Sequence, residues 1–370
     1  MGPHPGVASG GGGSAATGLV LAVNPGAGST KLGLFRGGER VVEHVERHAE
    51  RELERFPRIA DQLPFRTSAV RSFLERARVE RGALAAVVGR GGLFKPVVSG
   101  TYLVDEAMLR DAERSPRGEH ASNLGAPIAK AIADEHGCPA FVVDPVSVDE
   151  LEPVARISGL AGVERKSLCH ALNMRAVARR HAAAVGRPVE DLNLVIAHLG
   201  TGTSLSAQRE GRLVDVVNPQ DEGPFSGDRC GGIPATALVD MCFARGADRS
   251  ALRRRLFGDG GLFSYLGTRD VREAAERAER GDAEAGLVLD AMAYQIAKAV
   301  GELATVLSGE VDAVLITGGA AHGEALVNGV HRRVEWIAPV FTYPGEDELL
   351  ALSEGALRVL GGEERARSYG

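Results

Sequence analysis

Short apolar runs and amphipathic stretches alternate along this chain. LVLAVN (19–24) is uninterruptedly apolar up to its last residue and predicts a buried strand. PGAGSTK follows, then LGLFR as a second strand, a Gly37-Gly38 hairpin turn, and ERVVEHVERH as a third strand of mixed face. Residues 67–81 have helical spacing, and ALAAVVG (83–89) is another buried strand. Residues 122–137 predict an amphipathic helix with Ser122 as N-cap and Gly137 just past its end. PAFVVDP (139–145) predicts a strand ending at Asp144, and a helix runs from His170 to Val185. Further helices are expected at 234–244, 248–256, 282–308 and 320–333, with strands at 311–319 and 336–342 and a last helix from Glu346. Strands and helices interleaved through both halves indicate an α/β protein.

The opening pattern returns. NLVIAHLGTGTSLSAQREGRLVDV (193–216) lies over LVLAVNPGAGSTKLGLFRGGERVV (19–42) at a constant offset of 174 residues, Asn24 falling on His198. Gly26 meets Gly200, Gly28 meets Gly202, Ser29 and Thr30 meet Thr203 and Ser204, and the turn glycine Gly37 meets Gly211. Each copy reads strand, Gly-x-Gly-polar-polar loop, strand, glycine turn, strand. That implies two domains built on one plan. The boundaries expected are 19–150 and 151–345, with the C-terminal helix, about 346–362, a candidate to pack back on the first domain. Residues 1–18 read as a flexible leader rich in glycine.

Composition narrows the function. The formal net charge is −6 with aromatics at 5%, and no stretch of Lys or Arg forms a stripe, which argues against a nucleic-acid partner. No run of 18 apolar residues exists, so no membrane partner is expected. The four cysteines, Cys138, Cys169, Cys230 and Cys242, form no C-x-x-C pair, so there is no zinc signature and a reducing, cytoplasmic setting is expected.

The chemistry concentrates in loops. In NPGAGSTK (24–31), Gly26 and Gly28 let backbone N–H groups converge on an anion, Ser29 and Thr30 add hydroxyls, and Lys31 adds charge. Walker A spacing is absent. HLGTGTS (198–204) repeats the offer with Thr201, Thr203 and Ser204. Two such hairpins facing each other would grip a polyphosphate. Gly318 and Gly319 after a buried strand allow a flat base or ribose close to backbone, and Asp270 with Arg272 opens a charged helix. Arg90 and Arg229 each stand among glycines, where a guanidinium fork suits a carboxylate or a phosphoryl group in transfer. Asp144, at a strand end, could hold Mg²⁺ or orient the attacking group. The acids Glu346, Asp347 and Glu348 are candidates for helix-dipole partners or a metal shell. His198 and His170 could donate to an oxyanion, whereas His44, His48, His136 and His181 read as histidines in polar surroundings with no role.

Eight blocks in order resemble the butyrate kinases, within the acetate kinase family of the actin-like ATPase superfamily: LVLAVNPGAGSTK, VVGRGGLFKPVVSGTYLV, GEHASNLGAPIAK, VDPVSVDELEPVARISG, HALNMRAVARR, AHLGTGTS, ITGG and APVFTYPGEDELLAL. The resemblance spans about residues 19–367. It implies two ribonuclease-H-like domains with a central cleft holding ATP, reversible phosphorylation of a small carboxylate with ATP/ADP and Mg²⁺, and a cytoplasmic homodimer. By the same resemblance Asn24 and Lys31 lie near the transferred phosphate, and Arg229 holds the carboxylate and transition state. Asp144 and Glu348 are the implied metal partners. His198, Gly200 and Gly202 correspond to the second phosphate hairpin, Asp270 and Arg272 lie close to the nucleotide, and Gly318 and Gly319 form the adenosine loop. The histidine that acetate kinases use falls near Met174, and Arg90 matches its counterpart only in neighbourhood. Butyrate kinases usually read G-S-T-S-T-K and H-L-G-G-G in the two hairpins; here Ala27, Gly28 and Thr201 depart, which implies altered phosphate contacts with activity retained. Rival readings are an acetate, propionate or branched-chain acid kinase, a sugar kinase using Asp144 as base, and a non-catalytic nucleotide-binding protein.

Overall fold

The computed structural model describes residues 18–370, and the expected leader lies outside the described residues except for Gly18. The chain divides into two compact units. The first takes residues up to Lys95, Gly100–Pro145 and Glu348–Gly370; the second takes Pro96–Ser99 and Val146–Asp347.

In the first unit, strands β1 (Leu19–Pro25), β2 (Ser29–Arg36) and β3 (Glu39–Arg47) form an antiparallel meander. Gly37 and Gly38 turn between β2 and β3 with φ of 57° and 86°, a conformation glycine adopts without a Cβ penalty. The sheet continues with β4 (Leu84–Arg90), β5 (Thr101–Leu103) and β6 (Ala140–Val143) in the order β3-β2-β1-β4-β6-β5. β1, β4 and β6 run parallel, and their continuous apolar sequences are buried on both faces, as parallel strands require.

A short helix α1 (Glu50–Leu53) precedes α2 (Leu63–Arg76), and α3 (Glu106–Arg114) leads to α4 (Gly125–His136). Helix α4 lies on one face, where a β-carbon on Gly89 would sit 2.1 Å from the Gly125 carbonyl oxygen. The last helix packs on the other face, its Gly355 against Val143.

The second unit repeats the plan after α5 (Ala171–Val185). The small ribbon β7–β8 (Ile157–Leu160, Val163–Glu164) stands apart as its own sheet. The main sheet combines β9 (Leu194–Leu199), β10 (Thr203–Arg209), β11 (Arg212–Val217), β12 (Ala313–Gly318) and β13 (Val340–Pro344), in the order β11-β10-β9-β12-β13. Side chains alternate as a two-faced strand demands. Val195, Ala197 and Leu199 join one apolar core, and Leu194 and Ile196 join the other.

Helices α6 (Ala235–Phe243), α7 (Arg249–Phe257), α8 (Gly261–Leu266) and α9 (Val271–Glu279) precede α10 (Ala283–Val306). Helix α10 buries Val288, Leu289, Met292, Ile296, Val300 and Leu303 at helical spacing, and Asp282 caps it by accepting from the Ala285 N–H at 3.1 Å. Then follow α11 (Glu324–Val334) and α12 (Glu348–Leu360), the latter in the first unit.

Several expectations need correction. Ser122 caps nothing: residues Ala121–Leu124 form a 3-10 turn whose cap is His120, and the α-helix begins at Gly125. Helix α2 begins four residues earlier than expected, with Pro64 in its first turn, where a missing N–H costs nothing. The last helix begins at Glu348, which leaves Glu346 outside it. His48 and His181 are buried.

Candidate active site

The site residues fall into a set in each unit. In the first, β1 and β2 pair so that Asn24 lies opposite Lys31, and β4 ends at Arg90. Glu348, the first residue of α12, meets all three. Its carboxylate accepts hydrogen bonds from the Asn24 side-chain amide and from Arg90, and Lys31 Nζ stands 3.8 Å away. Arg90 and Glu348 are nearly enclosed, so the pair sits where charge interactions are little screened. Asp144 is fully buried just past β6, in the left-handed region at φ 38°. Its Oδ1 accepts from the Gly100 N–H at 2.7 Å, and its own N–H donates to the Gly100 carbonyl. A non-glycine residue held at positive φ costs free energy and persists where its surroundings over-determine it.

The first loop departs from expectation at Thr30. Its hydroxyl faces inward, bonded to His48 Nε2 at 2.9 Å and accepting from Arg66 at 3.2 Å, so it is not an outward donor. Ser29 is half-buried, and Gly26 and Gly28 form the turn itself, the Gly26 N–H donating to the Ser29 carbonyl at 2.8 Å. Nothing lies within 4 Å of a β-carbon built on Gly28, and its φ is not positive, so this glycine is not demanded by space or strain.

In the second unit a cavity of about 620 Å³ opens beside the second hairpin, within the size range of small-molecule sites. Gly200 and Thr201 line it with Asp270, Arg272, Gly319 and Glu346, and so do Asp228, Arg269 and His322. Asp270 caps α9, accepting from the Arg272 N–H at 2.8 Å while the two side chains pair at 3.2 Å. Gly318 holds φ 95°, and a β-carbon there would meet the Leu199 backbone at 2.5 Å, so β12 can pass β9 this closely only with glycine. Arg229 lies on the hairpin: a β-carbon on Gly202 would sit 2.5 Å from its Nη1. Burial pushes the neighbouring Asp228 carboxyl above its ordinary value, with the cations Arg229 and Arg269 pulling the other way. Thr203 and Ser204 are buried at the head of β10.

His198 and His170 come together. Their rings stack at 4.1 Å, and Glu346 spans them, Oε1 3.2 Å from His198 Nε2 and Oε2 3.6 Å from His170 Nε2. Asn173 Oδ1 accepts from His198 Nδ1 at 2.9 Å and fixes that ring. These three are the one set of His, Cys, Asp or Glu among the described residues whose ligand atoms all lie within 4.8 Å. The carboxylate and amide oxygens of Asp144, Glu348 and Asn24 are the donor type that a hard cation takes. The hydrogen bonds already made by Glu348 favour an approach through water.

Comparison with known proteins now bears on these sets. The Acetokinase family model matches residues 161–336. Butyrate kinase 1 of Clostridium acetobutylicum is 48% identical over 351 residues, 95% of this chain and 99% of that protein. The chain belongs to the acetokinase family. Among solved structures it is similar to acetate kinase from Porphyromonas gingivalis, with a TM-score of 0.77 and 19% identity over 93% of this chain and all of that one. A propionate kinase from Francisella tularensis gives a TM-score of 0.74 and 16% identity over 91% and 98% of the two chains. The fold is therefore the α/β actin-like ATPase fold with two ribonuclease-H-like domains.

Against that background the residues that sequence reasoning missed stand out. Arg66 carried no signal, lying just before the helix expected at 67–81. Asp228, Arg269 and His322 were passed over beside Arg229, Asp270 and Gly319, and the local spacing that found their neighbours could have found them. Glu346 was read as a helix start or a member of a metal shell, and its place beside the two histidines was missed.

Proposed function

We propose that this acetokinase-family enzyme transfers the γ-phosphoryl group of ATP, reversibly, to butyrate or an acid of similar length. Family membership makes it a carboxylate phosphotransferase that uses ATP and ADP; the particular acid and the role of each residue belong to the proposal. The observation that supports it most is the 48% identity to butyrate kinase 1 along nearly the whole of both chains.

In this reading a carboxylate oxygen attacks the γ-phosphorus, the bond to the β-phosphate oxygen breaks, and ADP leaves with that electron pair. The attacking oxygen is already anionic, so no general base is needed, and catalysis is mainly alignment and charge neutralisation. In the second unit Gly200, Thr201, Gly202, Thr203 and His198 hold phosphates, while Asp270, Arg272, Gly318 and Gly319 hold the adenosine end. Arg229 steadies the equatorial oxygens. His170 donates to an oxyanion. In the first unit Gly28 and Ser29 offer backbone N–H groups while Gly26 closes the turn, its N–H spent on the Ser29 carbonyl, and Asn24, Lys31 and Arg90 add amide and cationic donors. Asp144 and Glu348 would hold Mg²⁺, which when bound neutralises phosphate charge. We further propose a cytoplasmic homodimer, as the family resemblance implies; no helix among the described residues is long and apolar enough to cross a membrane.

The test is a panel of straight and branched acids of increasing length with ATP and Mg²⁺, read as acyl phosphate trapped as hydroxamate. The expected optimum is at four carbons, with neighbours disfavoured by about 1–3 kcal/mol per methylene. ATP consumed without acyl phosphate from any acid would sink the proposal.

A further inference from the structure

Arg66, from the first turn of α2, is fully buried beneath the first hairpin loop. Its Nη2 donates to the Ala27 carbonyl at 3.0 Å, its Nη1 to the Ser29 carbonyl at 2.9 Å and to the Thr30 hydroxyl at 3.2 Å, and its Nε to Gln62 at 3.0 Å. Among the described residues no carboxylate reaches it. Burial alone pushes its guanidinium down to about 10. A buried ion without a counter-ion is unfavourable. The carbonyls repay part of that, and an anion on the far side of the loop would repay more.

The geometry of the loop adds a second observation. Three successive carbonyls are held: Ala27 and Ser29 by Arg66 from beneath, and Gly28 by the His48 N–H at 2.9 Å, which extends the β2–β3 ladder. The peptides are trans, so each N–H points away from the carbonyl of its own peptide. Pinning the Ala27 carbonyl on Arg66 therefore turns the Gly28 N–H away from Arg66, at the exposed tip, and holding the Gly28 carbonyl on His48 turns the Ser29 N–H away from β3. Successive outward N–H groups make an anion-binding concavity.

We infer that Arg66 is a positioning residue for phosphate, holding the loop so that its N–H groups face the anion and supplying positive potential from beneath. The inference rests on reading this loop as a phosphate cradle. The test uses the full-length protein with inorganic tripolyphosphate as probe and adenosine as phosphate-free control, both by titration calorimetry. R66M keeps the length of the side chain and removes its charge and its donors. The expected result is tripolyphosphate binding weakened at least tenfold with adenosine unchanged, and only partial recovery in R66K, which keeps charge without the fork. Folded R66M and R66K that bind tripolyphosphate as the wild type does would overturn the inference. Should R66M fail to fold, wild-type amide exchange decides: tripolyphosphate must slow exchange of the Gly28 and Ser29 N–H groups, and no slowing refutes the inference. If wild-type enzyme forms acyl phosphate while that slowing is absent, only the role of Arg66 falls; if it forms none, the functional reading falls with it.

Discussion

The packing of Arg229 on Gly202 gives a sharp prediction. A β-carbon at position 202 would lie 2.5 Å from Nη1, 2.8 Å from Cζ and 3.1 Å from the Pro219 β-carbon. Ordinary contact between such atoms starts near 3.5 Å, so in G202A the guanidinium must retreat by about 1 Å. Folding should tolerate this, because the Arg229 side chain is 28% exposed and has room to swing toward solvent. Catalysis should not, since a misplacement of about 1 Å in a charge-stabilising group can cost about 10²-fold. That is about 2.7 kcal/mol of barrier at 1.36 kcal/mol per decade. Arg229→Ala, which deletes the group, should cost about 10²–10³. The assay is steady-state hydroxamate formation beside thermal melting. The expected pattern for G202A is kcat reduced about a hundredfold with Tm nearly unchanged. A kcat within threefold of wild type would refute the role given to Arg229. A matching collapse in Tm would show that the glycine serves the fold instead.

Three further outcomes follow from the same geometry. Gly28→Thr should be accepted without loss of stability, because a β-carbon there meets nothing within 4 Å, and it should keep or tighten KM for ATP by returning a hydroxyl; a loosened KM would count against the cradle. Gly89→Ala should destabilise the first unit by about 2 kcal/mol or more in denaturant titration, since its β-carbon would meet the Gly125 carbonyl backbone, which cannot swing aside as a side-chain tip can. Burial pushes the Asp105 carboxyl upward, but backbone N–H donors from Met108, Gly370 and Tyr369 outweigh it and hold the group below the usual carboxylate range. A depressed folded pKa gives stability that is present above the unfolded value near 4 and lost as pH falls through the folded one. Protection of the 367–370 amides, taken relative to their intrinsic exchange rates, should therefore fall below about pH 4, and less so in D105N.

The two hairpins were legible because their information is local. A Gly-x-Gly loop between two apolar runs, with a glycine turn a fixed distance on, needs only neighbouring residues to be recognised, and each copy forms the same antiparallel meander at the edge of its sheet. Parallel strands such as β4 and β12 were equally visible as unbroken apolar runs. Arg66 was invisible for the opposite reason. Its partners are 36–39 residues away in the chain, apart from Gln62, and nothing in FRTSAVR distinguishes a guanidinium that turns inward from one in water. Thr30 misled in the same way: spacing reveals that a hydroxyl is present and cannot reveal which face of β2 carries it.

The acids at 346–348 show how far two residues of sequence can separate two roles. Gly345, at φ 89°, is bonded in both directions to Gly318, at 2.9 and 3.2 Å, and this tie delivers Glu346 to the stacked histidines of the second unit. Glu348 is governed by something else. Helix α12 starts there because Leu349, Leu352 and Ala356 bury against the sheet of the first unit, and that packing points its first carboxylate at Asn24, Lys31 and Arg90. A run of three acids at a helix start reads as one dipole-compensating cluster when only local rules are applied. The backbone tie before it and the apolar face after it are long-range facts. Together they turn one acidic run into two separate charge partners, one for each unit.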